Sequence, residues 1–375
     1  MRSSRTSSPR ASSRASSRPI AGVAAVAAIG LLVAACSSSG SPAGTSAASS
    51  TVDVTTLPLT TSAATTAGNS TTSAGEASTS TVAAAPTFPL TGMPLTDPTA
   101  ATRPAVVVKV GNYDAHPQRG SSKADLIYEE IINANVSRFA FVFQSQAAPE
   151  VGPIRSGRRQ DVNLFGSLNR PVFAWAGGNA TVTKEIQSSD LIDLSQFKCQ
   201  GSCYRTHDDS PVEFTLMFNV QKVFGLSLPN AGAARPQFTY LAAGQAAGGV
   251  PSSGVTLKME SYNVDWTWNA ATGQYLRVQN GKPDRDKDGT QMTTNNVVVL
   301  AMNYLPGISG SPDAVSTGTG EAFVYTGGHY IHGTWSRADR LQPFTLKDDS
   351  GKVIPLTPGR TFIELPRPGN TTSKG

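Results

Sequence analysis

From residue 106 onward the chain carries short β-branched and aromatic runs separated by turn residues, a pattern that predicts strands more often than helices. Val106-Val107-Val108-Lys109-Val110 has the form of a buried strand, closed by Gly111-Asn112 and the turn-forming Pro117-Gln118-Arg119-Gly120. Residues 126–132 and 136–144 read as two strands around Asn133-Ala134-Asn135, a hairpin. Val172-Phe173-Ala174-Trp175 is a further strand. Two helices are expected in this half, one carrying Val162, Phe165 and Leu168, the other following Gly177-Gly178-Asn179 and running through Lys184, Glu185 and Ile186. Residues 226–254 are rich in Ala, Gly, Pro and Ser and read as an inter-domain connection. Beyond it, 255–259, 264–268, 275–279, 297–302, 322–325, 330–335 and 362–365 read as short strands. A mixed α/β first half and a mostly β second half follow.

The first 87 residues are of another kind. A basic stretch with Arg2, Arg5, Arg10, Arg14 and Arg18 precedes an uncharged segment, 20–35, which ends in Leu32-Val33-Ala34-Ala35-Cys36-Ser37. These are the n-region, h-region and acylation point of a bacterial lipoprotein signal, so 1–35 are expected to be removed and Cys36 lipidated. The apolar run is shorter than the roughly 20 residues that span a bilayer. Residues 36–87 are Ser, Thr and Ala-rich, with Asp53 and Glu76 as their only charges. Such a segment buries too little apolar surface to offset its ordering entropy and is expected to be a disordered tether with a root-mean-square span of roughly 40 Å. The body is then held on the outer face of the cytoplasmic membrane, in the cell envelope, with that membrane as a partner through its lipid.

Charge alters the picture only until the leader is removed. The whole chain has formal charge +5. Of its 31 Lys and Arg, five lie before Cys36, where there is no acid, leaving 26 against 26 Asp and Glu. The mature protein is neutral, so no long-range field draws it to nucleic acid. With Cys36 lipidated, Cys199 and Cys203 are the remaining thiols, and an oxidising exterior favours their disulfide. Their C-x-x-x-C spacing departs from the C-x-x-C of redox and zinc motifs.

Chemistry-bearing residues gather in the first half. Gly152-Pro153-Ile154-Arg155-Ser156-Gly157-Arg158-Arg159 crowds guanidinium groups at the start of a predicted helix, where cations oppose the macrodipole and call for a negative partner. That partner is either a bound phosphate or carboxylate, or the acids Asp125, Glu129 and Glu130, which Arg138 could share; their closeness in sequence favours the internal network. Gly177-Gly178-Asn179 could expose N–H groups to an anion or a sugar hydroxyl, with a tight turn as the plainer reading. Without a complete G-x-G-x-x-G or a G-K-S/T it predicts no nucleotide, and no cofactor is expected. Asp284-Arg285-Asp286-Lys287-Asp288-Gly289 has the opening of a calcium loop, but Asn295 stands where a bidentate Glu belongs, so Asp284, Asp286 and Asp288 read first as a polar turn. His329 and His332 fall on opposite faces of one strand, unsuited to a shared metal. His207-Asp208-Asp209 with Ser156 or Ser210 lacks any G-x-S-x-G elbow. Trp266 and Trp268 share a strand face, suited to core packing or to stacking on a sugar.

At Lys109-Val110-Gly111-Asn112, His116-Pro117-Gln118-Arg119-Gly120, Ala124-Asp125-Leu126-Ile127-Tyr128-Glu129-Glu130, Ser137-Arg138-Phe139 and Gly152-Pro153-Ile154-Arg155-Ser156-Gly157-Arg158, the chain resembles the YerB-like lipoproteins. Gly281-Lys282-Pro283, Gly333-Thr334-Trp335-Ser336-Arg337 and Leu356-Thr357-Pro358-Gly359-Arg360-Thr361 extend the resemblance through the second half, from about 89 to 365. It implies an α/β layered, ββα-type sandwich at 88–235 and a mostly β domain at 250–368, and carries over no catalytic residue. Where the family has Ala-Pro-His-Asn, this chain has Ser210-Pro211-Val212-Glu213. Two functions fit: a non-catalytic module binding a cell-wall glycan or an envelope protein around Asn112, Asp125, Glu129, Glu130, Arg138, Arg155, Ser156, Arg158, Gly177, Gly178 and Asn179, or an exported hydrolase of an anionic or wall-derived substrate. The hydrolase needs Asp125, Glu129 and Glu130 to line an open cleft with Arg155 and Arg158.

Overall fold

The computed structural model describes residues 85–112, 117–199, 201–206 and 214–375; the leader, Cys36, the tether up to residue 84, His116 and residues 207–213 lie outside them. The N-terminal half supplies β1 (Val106–Gly111), β2 (Leu126–Ile132), β3 (Val136–Phe143), β4 (Val172–Ala174), β5 (Ile192–Asp193), β6 (Tyr204–Thr206) and β7 (Leu216–Phe218). The C-terminal half supplies β8 (Val250–Pro251), β9 (Gly254–Met259), β10 (Tyr262–Asn269), β11 (Gln274–Gln279), β12 (Lys282–Pro283), β13 (Thr293–Thr294) and β14 (Asn296–Leu300). After these come β15 (Tyr304–Pro306), β16 (Pro312–Ala314), β17 (Gly318–Thr326), β18 (His329–Arg337), β19 (Thr345–Asp348), β20 (Thr361–Glu364) and β21 (Thr371–Lys374). Helices are few and short: α1 (Arg159–Phe165), α2 (Ala180–Gln187) and α3 (Val220–Phe224). The expected helix through Leu168 ends as α at Phe165 and continues as a 3-10 turn.

The main sheet runs β19-β18-β17-β14-β20-β2-β3-β1-β4-β5, with β8 beside β18, so both sequence halves build it. β20, from near the C terminus, lies parallel to β14 on one side and β2 on the other, and sets Glu364 beside Glu129. β1, β2, β3, β14 and β20 are buried along their whole length. A strand covered on both faces has no solvated face, which accounts for their near-continuous apolar runs.

A second sheet, β12-β11-β10-β9-β21 with β13 beside β11, shares a core with one face of the main sheet. There Trp266 and Phe139 both meet Phe362 edge-on, with ring centres 4.8 and 5.9 Å apart. On the other face α1 and α2 pack over Tyr128, Phe173 and Trp175, and the Tyr128 and Phe165 rings meet at 5.4 Å. Residues 226–254, between the two halves, run across this body: Ser167 Oγ donates to Gln237 Oε1 (2.7 Å), and the Leu241 N–H to the Leu356 carbonyl (2.9 Å). Cys199 and Cys203 are joined in a disulfide. Among the described residues no helix is long and apolar enough to cross a membrane.

Candidate functional site

The three acids singled out in the sequence go to three separate places. Glu129 and Glu130 are consecutive on β2, and successive side chains of a strand leave by opposite faces. Glu129 enters the core between the sheets, where Arg277 Nη2 meets it at 2.5 Å and Ser137 Oγ and Asn112 Nδ2 donate to it at 2.5 and 3.1 Å. Arg277 also pairs with Asp284, lies 4.0 Å from Glu364, and sits over the Phe139 ring at 5.2 Å. Burial, then the adjacent Glu129 carboxylate, holds Glu364 well above the usual carboxylate range, while the Trp266 indole N–H donates to it at 2.8 Å. Asn112 also exchanges hydrogen bonds with Gln279 and belongs to this interior network.

Glu130 leaves by the helical face and pairs with Lys109, which also meets Asp161 at 2.9 Å; all three side chains are fully buried. Asp161 has a second duty at the third position of α1, accepting the Arg158 N–H at 2.6 Å and so capping the helix. Burial pulls the Lys109 ammonium down to about 8, against the attraction of Asp161. Asp125 accepts the Gln144 and Ser145 N–H groups at 2.6 and 2.8 Å, and burial pushes it up to about 6. It lies at a separate pocket of about 630 Å3 with Arg360 and Asn295.

The internal network expected between these acids and the arginines is therefore not the one that forms. The acids are taken by Lys109, Arg277 and backbone donors, and among the described residues neither Arg138 nor Arg158 has a carboxylate within ion-pair distance.

What the fold does bring together are the two loops. The Arg155 N–H donates to the Lys109 carbonyl and the Ala176 N–H to the Arg155 carbonyl, which seats the arginine loop between the ends of β1 and β4. The chain leaving β4 turns through Gly177 and Gly178, both at positive φ, into Asn179. Asn179 caps α2 by accepting the Val182 N–H at 2.9 Å, and its amide donates to Ser309 Oγ at 2.7 Å. Ser156, Arg158, Gly178, Asn179, Asn133 and Ser309 line a pocket of about 280 Å3. Arg158 Nη2 donates to Asn133 Oδ1 at 3.0 Å. Arg138 lies behind the wall and donates to the Ser156 carbonyl at 2.7 Å. Burial, then the Arg158 and Arg155 guanidiniums, holds Arg138 well below its usual value. Arg155 is half-buried, with its guanidinium 5.1 Å from the centre of the Phe214 ring.

The other motifs resolve locally. Asp284 faces Arg277, Asp286 accepts the Ser121 N–H at 2.9 Å, and exposed Asp288 accepts the Thr290 N–H at 2.9 Å. No group of three His, Cys, Asp or Glu among the described residues is placed to hold a metal ion. His332 lies between Asp349 (2.8 Å) and Glu321 (3.0 Å), while His329 turns to the Gly327 carbonyl. Trp266 is fully buried, and Trp268 packs on Tyr275 at 4.8 Å. Sequence reasoning missed Asn133 and Ser309 at the pocket, and Arg277 and Glu364 in the interior. Lys109 carried a signal: a lysine inside a valine run must meet buried acids.

Comparison with known proteins places this arrangement in context. Residues 90–227 match the family described as "Protein of unknown function (DUF3048) N-terminal domain", and residues 255–363 match its C-terminal domain. The chain is 27% identical over 296 residues to "Putative lipoprotein YerB" of Bacillus subtilis (strain 168), spanning 74% of this chain and 85% of that one. The crystal structure of YerB protein from Bacillus subtilis superposes with a TM-score of 0.68 at 22% identity, over 77% of this chain and 99% of that one, a likeness of fold.

Proposed function

The chain belongs to the two-part DUF3048 family, described only as of unknown function, and on that premise we propose that it is a lipid-anchored, non-catalytic binding protein of the cell envelope. Export through residues 1–35, lipidation of Cys36 and the tether at 36–87 hold the body at the outer face of the cytoplasmic membrane, where its partner is a cell-wall polymer or another envelope protein rather than nucleic acid. A ββα layering of the N-terminal half serves as the frame that presents the arginine loop and the glycine loop side by side.

One observation carries this reading. Glu129, Glu130 and Asp161 are spent inside the body on Arg277 and Lys109, whereas the pocket presents guanidinium, amide and hydroxyl groups. Such a lining recognises a ligand without supplying a paired acid and base. Retention of the purified protein on insoluble wall glycan, or its enrichment of an exported partner from envelope extracts, is the expected result. No enrichment of either across a range of salt and pH overturns it.

An exported hydrolase is the second reading, and Asp125 favours it: burial raises this carboxyl to about 6, and it borders a pocket of about 630 Å3. Release of soluble fragments from wall material by the wild-type protein, lost in Asp125→Asn, would replace the binding reading with this one.

A further inference from the structure

We propose that the pocket between the arginine loop and the start of α2 binds an oxyanion, the phosphate or carboxylate group of the protein's ligand. The proposal deepens the binding reading by naming the group recognised, and rests on that reading only for the identity of the carrier.

Charge and burial motivate it together. Arg138 and Arg158 sit close enough to depress Lys109, and Arg158 close enough to depress Arg138, while the acids set among these three in the described residues are Glu130 and Asp161. Lys109 engages both, so these five groups leave one positive charge over, on the side of Arg138 and Arg158. Arg138 is only 7% exposed, and among the described residues its guanidinium's one hydrogen bond goes to the Ser156 carbonyl. A guanidinium withdrawn from water without a counter-charge is costly, and a bound anion removes that cost.

The pocket's geometry supplies the place. Arg158 forms part of its wall, with Nε buried and lacking an acceptor. Facing it is the first turn of α2, where Asn179 takes the Val182 N–H and no group among the described residues accepts from Ala180 or Thr181. An oxyanion between them gains a charge-assisted bond from the guanidinium and the partial positive charge of the helix start. The Ser156 and Ser309 side chains border the same space. Because Ser309 comes from the C-terminal half, the pocket is complete only in the assembled body.

The test is calorimetric titration of inorganic phosphate and, separately, acetate into the purified full chain at constant ionic strength, with amide chemical shifts followed in parallel. At least one anion is expected to saturate and to shift the Gly178, Ala180 and Thr181 amides. A tighter fit for phosphate assigns a phosphate-bearing ligand, and the reverse a carboxylate-bearing one. Arg158→Gln is expected to weaken binding about ten- to a hundredfold, as for a lost charge-assisted hydrogen bond. Arg159→Gln, at an exposed arginine that faces Glu185 and Asp313 outside the pocket, leaves it unchanged. If R158Q does not fold, the wild-type shift map decides. No saturable shift with either anion, or saturation untouched in a folded R158Q, overturns the proposal, and retention on wall glycan would survive either outcome.

Discussion

Replacing Lys109 with Met removes a cation from a site where Glu130 and Asp161 are both fully buried. Methionine keeps most of the lysine stem's bulk, so the change acts mainly on charge. Gln160 still donates to Glu130 and the Arg158 N–H to Asp161, but two carboxylates are left in the interior without the ammonium. Removing one member of a buried ion pair costs about 3–5 kcal/mol. At about 2–4 °C per kcal/mol for a domain of this size class, the melting temperature falls by roughly 6–20 °C. Melts of the full chain at pH 7, for wild type, K109M and the triple variant K109M/E130Q/D161N, measure this directly. The triple variant is expected to recover most of the loss at pH 7, because the buried charges are then gone together. A K109M protein that melts within about 2 °C of wild type at pH 7, less than one kcal/mol for such a domain, refutes the reasoning.

Mass spectrometry of wild type is expected to show an acylated Cys36 as the first residue, whereas Cys36→Ser retains residues 1–35 and carries no lipid. Cys199→Ser opens a cross-link between residues four apart, and the loop-entropy cost of about 2 kcal/mol appears as a lower midpoint in urea. Burial raises Asp125 and Asp286 to about 6, above the ordinary 3.8. The fold therefore holds their protons more tightly than the unfolded chain, and the stability they add at low pH is lost as pH rises through about 6. Asp286→Asn is expected to flatten the stability profile between about pH 4 and 6 by roughly 1–3 kcal/mol; an unchanged slope in urea titrations across that window removes Asp286 from the account.

Much of the strand pattern was legible because central strands announce themselves: the valine run at β1 and the apolar stretches at β2, β3 and β14 are continuous since both faces are covered. Their partners were not legible. The pairing of Leu126 with Thr361 joins residues from opposite ends of the folded region, and no local periodicity encodes it. β21 is polar and half-exposed along its length, so its sequence resembles a tail. At the site, the arginine and glycine loops were visible as motifs, whereas their closure by Ser309 depends on a loop from the other half. Period-two alternation alone separates Glu129 from Glu130; treating the two as a cluster overlooked what the strand geometry already required.

The position of β20 bears on how the protein can be made. The last element of the main sheet to leave the ribosome is inserted between β14 and β2 near its middle, so a chain halted before Thr361 keeps two long raw edges and no continuous centre. Maturation of the N-terminal half is thereby deferred until nearly the whole polypeptide has been synthesised. If the chain is exported as proposed above, the portion that crosses first then has no finished shape to undo.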